Sequence, residues 1–405
     1  MKLSDLQAKD LAPQWYSEES LETVSKGYLL PGETPRQMYK RVSITASEIL
    51  NRPDLEPIFF DVMWKGWLGP ATPILCNMGA DRGLPISCYS NHLGDSVDSI
   101  YNKLHEFAML SKHGGGVGHY FGDIRGRGAP IKGNGVSEGF VPWAKCYDSA
   151  VLAVNQGSTR RGANAIYGKI RHPDAHELIN LRRPTGDPNR RCLNVHHAVC
   201  IEDEFMESML AGNKDDQALW IELLRARVET GEPYIFFTDN VNRQNPAMYK
   251  DKGYTVKTSN ICTEIMLYTD SEHTFVCDLA SLNLYKIDEY INFTYSNGMT
   301  VPEVGIYMLD AVMSEFIKKA KEIPGFECAV RFAEKGRPLG LGVMGWHAYL
   351  QSKMIPMESF QASMENNRIF KWIQEKSLLA SKSLAAEYGE PEWCKGYGVR
   401  NTHLN

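Results

Sequence analysis

Asn260-Ile261-Cys262-Thr263-Glu264 places an amide, a thiol and a carboxylate at positions i, i+2 and i+4. In extended chain, alternate side chains share a face, so all three groups can address one small ligand. The flanks, Tyr254-Thr255-Val256 and Ile265-Met266-Leu267, suit an extended segment. A hydrogen-bonding amide, a sulfur and a proton acceptor in one row form a reactive set. The plain alternative is a buried cysteine between surface polar residues.

Two further cysteines extend the pattern. Val276-Cys277-Asp278-Leu279-Ala280-Ser281-Leu282 puts one in an apolar run, and Pro85-Ile86-Ser87-Cys88-Tyr89-Ser90 holds another far upstream. One cysteine that carries a radical, with two that pass between dithiol and disulfide, would make a two-electron reductase. These blocks resemble the large (alpha) subunit of class I ribonucleotide reductase, whose motifs read Ser-Asn-Leu-Cys-Thr-Glu and Cys-Asn-Leu-Ala-Ser-Leu. The likeness runs in order from about Ala71 to the end of the chain.

The bulk properties agree with a globular enzyme. A chain of 405 residues can bury a large core and form more than one domain. Its 43% hydrophobic and 23% charged content is ordinary for a soluble protein. A net charge of -5 gives no basic footprint for nucleic acid. The start, Met1-Lys2-Leu3-Ser4-Asp5, lacks the apolar core of a signal peptide, and no apolar run is long enough for a bilayer. The expectation is a cytoplasmic protein of a bacterium or a phage-infected host, without membrane or nucleic-acid partners. Nine scattered cysteines form no CxxC pair, which predicts neither a zinc site nor a disulfide framework. Cys146, Cys192, Cys200 and Cys328 are read as buried free thiols.

Along the chain, residues 1–70 read as helical. Thr34-Pro35-Arg36-Gln37 combines a cap, a proline at the first helical position and a capping-box Gln. Tyr39, Val42, Ala46, Ile49 and Leu50 then share a face, and Asn51-Arg52-Pro53 ends the helix. From about residue 70, strands alternate with helices. Strands are predicted at His197–Ile201, at Tyr234–Thr238 and around Cys262 and Cys277. Helices are predicted at Asp203–Leu210, Gln217–Thr230, Ile306–Lys321 and Asn366–Tyr388. Such alternation indicates an α/β protein.

The resemblance implies more. It implies a ten-stranded α/β barrel of two five-stranded halves over residues 71–405, after a helical region at 1–70 too short for the ATP-binding cone of some relatives. The Cys262 segment would be a finger loop inside the barrel. By position, Cys262 would be the transient thiyl that takes the 3'-hydrogen of the substrate ribose. Glu264 would accept the 3'-hydroxyl proton, and Asn260 would hold the reacting hydroxyls. Cys88 would protonate the departing 2'-hydroxyl, and Cys88 with Cys277 would end as a redox disulfide. Thr72, Ser87 and Gly116 match positions that contact a nucleoside diphosphate.

A regulatory site is implied as well. Asp95, Ser96 and Ile100, in Gly94-Asp95-Ser96-Val97-Asp98-Ser99-Ile100, match a dNTP or ATP effector site with its Mg2+. Lys112 and Arg125 match basic positions near the effector phosphates, and Gln156 and Arg161 match the loop linking effector to substrate. Asp95-Ser96 also reads as an ordinary helix cap, compatible with phosphate binding. Homodimeric pairing of large subunits is implied. So are a small (beta) subunit that generates the radical at a dinuclear metal and tyrosine, and thioredoxin or glutaredoxin as external reductant. Gly340-Leu341-Gly342-Val343-Met344-Gly345 fits a dinucleotide pattern, but Lys335-Gly336-Arg337-Pro338 leaves little room for the strand it requires, so close packing is the preferred reading.

The chain departs from the family at Gly398-Val399-Arg400-Asn401-Thr402-His403-Leu404-Asn405. In relatives a similar stretch leads into a strand, a diphosphate-binding segment, two relay tyrosines and a tail with two cysteines. Their absence leads to the expectation of an N-terminal fragment of a naturally split, phage-type large subunit, completed by a C-terminal fragment. Two other readings are kept open. A cobalamin-dependent reductase more often reads Asn-Pro-Cys-Gly-Glu, so Ile261 and Thr263 favour class I. The other is an inactive dNTP-binding scaffold.

Overall fold

The computed structural model describes residues 2–154 and 162–404. Its strands, in chain order, are β1 (Leu68–Pro70), β2 (Cys88–His92), β3 (Gly116–Tyr120), β4 (Pro130–Ile131), β5 (Gly135–Val136), β6 (Ala163–Lys169), β7 (His196–Ile201), β8 (Tyr234–Phe237), β9 (Phe275–Asn283) and β10 (Leu339–Met344). The chain divides into two compact units. One comprises residues 1–86, 277–322 and 333–405, and the other residues 87–276 and 323–332.

The unit of residues 87–276 and 323–332 is built on a parallel sheet in the order β2-β3-β6-β7-β8. Strands β2, β3, β6 and β7 are buried on both faces, as crossover connections require, while the edge strand β8 is only partly buried. Helix Val97–Lys112 connects β2 to β3, and helices Asp203–Leu210 and Lys214–Thr230 connect β7 to β8. Alternation along β3 sets the two faces. His119 meets Phe107 of the first crossover helix edge-on at 5.0 Å, while Gly116 and Gly118 turn toward residues 259–261.

Buried polar groups fix this helix to its sheet. Lys103 Nζ bonds Glu106 Oε2 at 2.9 Å, Asn91 Nδ2 donates to the same carboxylate at 3.2 Å, and His119 Nδ1 lies 2.7 Å from Asn91 Oδ1. Burial, reinforced by the charge of Lys103, holds the His119 ring neutral, its pKa pushed down to about 3.

The other unit contains the capped helix read from Thr34. Thr34 N donates to Gln37 Oε1 at 2.8 Å, and Pro35–Ile49 follows with Met38, Tyr39, Val42 and Ala46 buried. The Leu50 backbone closes it, and Asn51 adopts φ +51. Helix Val301–Ala320 starts at a Thr300/Glu303 capping box and is buried around most of its circumference, as a central helix must be. Helix Asp203–Leu210 forms as predicted, while the other three predicted helix spans start late by three to six residues at their N-termini. Asn213 and Ser359 cap their helices, as do Thr300 and Glu303, ahead of the first apolar repeat.

In this unit β9 pairs antiparallel with β1 and parallel with β10. Of the dinucleotide-like glycines, Gly340 and Gly342 lie within β10 and Gly345 follows it with φ +81. A Cβ on Gly340 would stand 2.3 Å from Leu279 Cδ2 and 3.2 Å from Cys277 Sγ, so close packing explains that glycine. The last described residues are anchored by Asp310. Its carboxylate accepts from Arg337 Nε at 3.0 Å, Arg400 Nε at 2.9 Å and Asn401 Nδ2 at 3.1 Å. Burial opposes ionisation there, but the two guanidiniums win and lower the carboxyl's pKa. His403 O then accepts from Leu339 N at 3.0 Å and Leu404 O from Leu341 N at 3.1 Å, along the edge of β10.

Among the described residues no helix is long and apolar enough to cross a membrane, and no cluster of three His, Cys, Asp or Glu could hold a metal ion.

Candidate active site

The segment around Cys262 is a turn, which corrects the strand predicted there. Thr263 N donates to Asn260 O at 3.2 Å, and Thr263 has φ +67, which a β-branched residue rarely adopts. Alternation therefore does not align the three groups. The buried amide of Asn260 does so instead. Its Oδ1 accepts from Glu264 N at 3.2 Å and Ile265 N at 3.1 Å, and its Nδ2 donates to Glu264 Oε1 at 2.9 Å. Cys262 stands exposed at the tip between them.

Two glycines admit this segment against the sheet. A Cβ on Gly118 would fall 1.9 Å from Ser259 O, and one on Gly116 would fall 3.0 Å from Ile261 Cγ2. Cys88 is the register partner of Gly116, and Ser87 O accepts from Gly116 N at 2.8 Å. Cys88, buried at the start of β2, thus neighbours the strand position on which Ile261 rests, one residue before Cys262. At the base of the segment, Asp123 bonds Lys169 Nζ, Lys257 Nζ and His92 Nε2, each at 3.0 Å. The contact with His92, joined by the two lysines, overcomes burial and holds Asp123 well below the usual carboxylate range.

Beside the tip, Tyr234 opens β8. Burial raises its phenol, and Glu232 and Cys262 add to the shift. Burial would also raise Glu232, but bonds from His196 and His197 outweigh it and keep that carboxyl low.

Asn260, Cys262, Glu264, Cys88, Ser87 and Gly116 all lie in the unit of residues 87–276 and 323–332, whereas Thr72 and Cys277 belong to the other. Thr72 opens helix Thr72–Asn77, with its hydroxyl 2.7 Å from Tyr28 Oη. Cys277 is buried, its Sγ 3.5 Å from Asp278 O. Cys192 and Cys200 are buried as expected, while Cys146 and Cys328 are only half-buried.

At the regulatory block, Ser96 caps helix Val97–Lys112 by accepting from Ser99 N at 3.2 Å, and Arg125 Nε bonds Asp95 Oδ2 at 2.8 Å. Ile100 is buried in the core. Lys112 stands at the opposite end of the helix, about 24 Å from Ser96 at the α-helical rise. Within one chain, then, Arg125 and Lys112 do not grip the same phosphate. Gln156 and Arg161 lie outside the described residues.

The sequence reading missed Gly118, Ser259 and Tyr167. Gly118 was legible, since glycines two apart in a strand open the same face. Ser259 Oγ donates to Ile265 O at 2.7 Å, closing the turn. Tyr167, fully buried on β6, donates its hydroxyl to Asn260 O at 2.6 Å and lies 2.8 Å from Thr263 Oγ1.

Known proteins match this arrangement. The profile described as "Ribonucleotide reductase, barrel domain" matches residues 86–217 and 214–403, and "Ribonucleotide reductase, all-alpha domain" matches residues 14–83. A Frog virus 3 (isolate Goorha) protein provisionally named ribonucleoside-diphosphate reductase large subunit is 38% identical, over 87% of this chain and 63% of its own length. The large subunit of Invertebrate iridescent virus 3 is 32% identical, over 87% of this chain and 65% of its own. The chain thus spans under two thirds of these relatives. The solved structure of the Actinobacillus ureae class Id ribonucleotide reductase alpha subunit superposes with a TM-score of 0.89 at 42% identity, covering 96% of this chain and 71% of that one. With both family profiles matched along nearly its whole length, the chain belongs to the ribonucleotide reductase large-subunit family.

Proposed function

We propose that this chain is the catalytic component of a ribonucleoside-diphosphate reductase, replacing the 2'-hydroxyl of a ribonucleotide with hydrogen. The observation that carries the reading is the exposed Cys262 held between Asn260 and Glu264, which are bonded to each other, on a segment seated beside the strand of Cys88. Cys262, as a thiyl, removes the 3'-hydrogen. Glu264 accepts the 3'-hydroxyl proton, and Asn260 orients the hydroxyls. Loss of the 2'-hydroxyl as water takes two electrons and two protons from Cys88 and Cys277, which become a disulfide. Thr72, Ser87 and Gly116 contact the substrate in this reading.

Turnover further requires the remaining part of the relatives' length, in the same polypeptide or in a C-terminal fragment. It also requires a small subunit to supply the radical, a thioredoxin or glutaredoxin to re-reduce the disulfide, and pairing of two large subunits. The effector, a dNTP or ATP with Mg2+, binds at Asp95, Ser96 and Arg125, and the reaction takes place in the cytoplasm.

The test is CDP reduction by the reconstituted assembly. Cys262→Ala should abolish turnover while effector affinity persists, and Cys277→Ser should stop multiple turnover. A wild-type assembly that binds dNTP but reduces no nucleotide would instead identify a scaffold.

A further inference from the structure

We infer that Tyr167 is a positioning residue that sets the conformation of the Cys262 turn. The inference rests on the proposed reductase reading for its catalytic consequence, but not for its structural one. Tyr167 reaches the turn from β6, a strand remote from it in sequence, and its single hydroxyl uses both of its capacities there. Its proton goes to Asn260 O at 2.6 Å, and its oxygen takes the proton of Thr263 Oγ1 at 2.8 Å. The two groups it joins are the first and last residues of the turn, with Cys262 between them.

A clamp is needed at this place. Thr263 holds φ +67, a conformation a β-branched side chain leaves unless its surroundings enforce it. Relaxation of Thr263 would swing Cys262 on one side and Glu264 on the other. The Asn260 side chain cannot prevent this alone, because its bonds go to Glu264 and Ile265, beyond the strained residue. The bond from Thr263 N to Asn260 O, at 3.2 Å, closes the turn but leaves the Thr263 side chain unfixed. Tyr167 supplies the missing constraint. The ring is itself immobile, fully buried and packed edge-on against Phe236 at 5.9 Å. Its hydroxyl therefore sits at a defined height over the sheet. Burial also keeps the phenol neutral, so the donor persists across the working pH range. Tyr167 thereby presents the thiol and the carboxylate in one geometry without touching substrate.

The test uses Tyr167→Phe in the full chain, with two readouts. In the reconstituted assembly, kcat should fall on the order of 10–100-fold, as expected for a misplaced reacting group, with KM and effector affinity unchanged. In the isolated chain, site-resolved alkylation by iodoacetamide should change several-fold at Cys262, with Cys146 and Cys328 unchanged and Cys192 and Cys394 still protected. Thr263→Val, which removes only the second hydroxyl, should act in the same direction, and the double variant should be no worse than Tyr167→Phe. Thr263→Gly, free to adopt positive φ, should recover part of the loss in the Tyr167→Phe background. Wild-type turnover and wild-type Cys262 alkylation in Tyr167→Phe would overturn the inference. So would exposure of Cys192 and Cys394, which would mark a general packing role. If even the wild-type assembly reduces no nucleotide, the reductase reading fails, and the alkylation pattern alone still decides the role of Tyr167.

Discussion

The side-chain amide of Asn260 donates to Glu264 Oε1 at 2.9 Å, and the same side chain accepts two backbone N–H groups through Oδ1. One buried residue thus both folds the turn and orients its carboxylate. Asn260→Ala should remove turnover and also cost about 1–3 kcal/mol, because the buried Ile265 N–H loses its acceptor. Denaturation midpoints measured beside CDP reduction check this. Asn260→Ala with undiminished stability would show that the turn is held by other means.

Gly118 and Gly116 face the same segment with different tolerance. Gly118→Ala sets a methyl 1.9 Å from the backbone oxygen of Ser259, so the Cys262 segment must lift. We expect it to destabilise by about 1–3 kcal/mol and to lose most activity. Gly116→Ala meets only Ile261 Cγ2 at 3.0 Å, the end of a half-buried side chain that can rotate. Its stability should fall far less, so any large loss of activity in Gly116→Ala reports the proposed substrate contact rather than a displaced segment. Equal destabilisation in the two variants would mean that Ile261 cannot give way.

These contrasts show what the chain discloses before it folds. The capped helix after Thr34, the strand at His196–Ile201 and helix Asp203–Leu210 were legible because local signals and tertiary packing agree there. The Cys262 segment carried β-branched residues and alternation, and reads as a strand. It is a turn because Asn260 competes for the backbone N–H groups a ladder would use, a choice its neighbours' propensities do not reveal. The candidate site residues were named from their order. The partners of those residues, Tyr167 above all, were not, since a strand brings them from nearly a hundred positions away.

Arg125 Nε meets Asp95 Oδ2 at 2.8 Å with both side chains about one-third exposed, at 36% and 34%. Such a pair contributes little to folding, so Asp95→Ala should shift stability by less than ~1 kcal/mol. Effector-dependent choice among substrates should nonetheless degrade, because the carboxylate beside the Ser96 cap is gone. Reduction assays with each of four dNTPs measure it. Intact discrimination would place effector recognition elsewhere.

Asp278 follows Cys277 in β9 and is nearly fully buried, and neither carboxylate oxygen has a hydrogen-bond partner among the described residues. Burial drives its pKa well above the ordinary carboxylate range; its own backbone N–H pulls the other way, the neighbouring Asp310 charge adds to the rise, and Arg337 opposes it more weakly. The folded state therefore retains a proton that the unfolded chain releases above about pH 3.9. The stability contributed by the neutral acid is fully present below that pH. It is lost as pH rises from there through the raised folded value, by about 1.4 kcal/mol per pH unit from this group. Asn has no such titration, and it is the residue the resembling motif carries here. Asp278→Asn should match the wild type near pH 4 and exceed it in unfolding midpoint by a margin that widens toward neutral pH. Thermal unfolding of both proteins across pH 4–8 measures the difference, and a margin that does not change with pH would mean that Asp278 finds a cationic or water partner in solution.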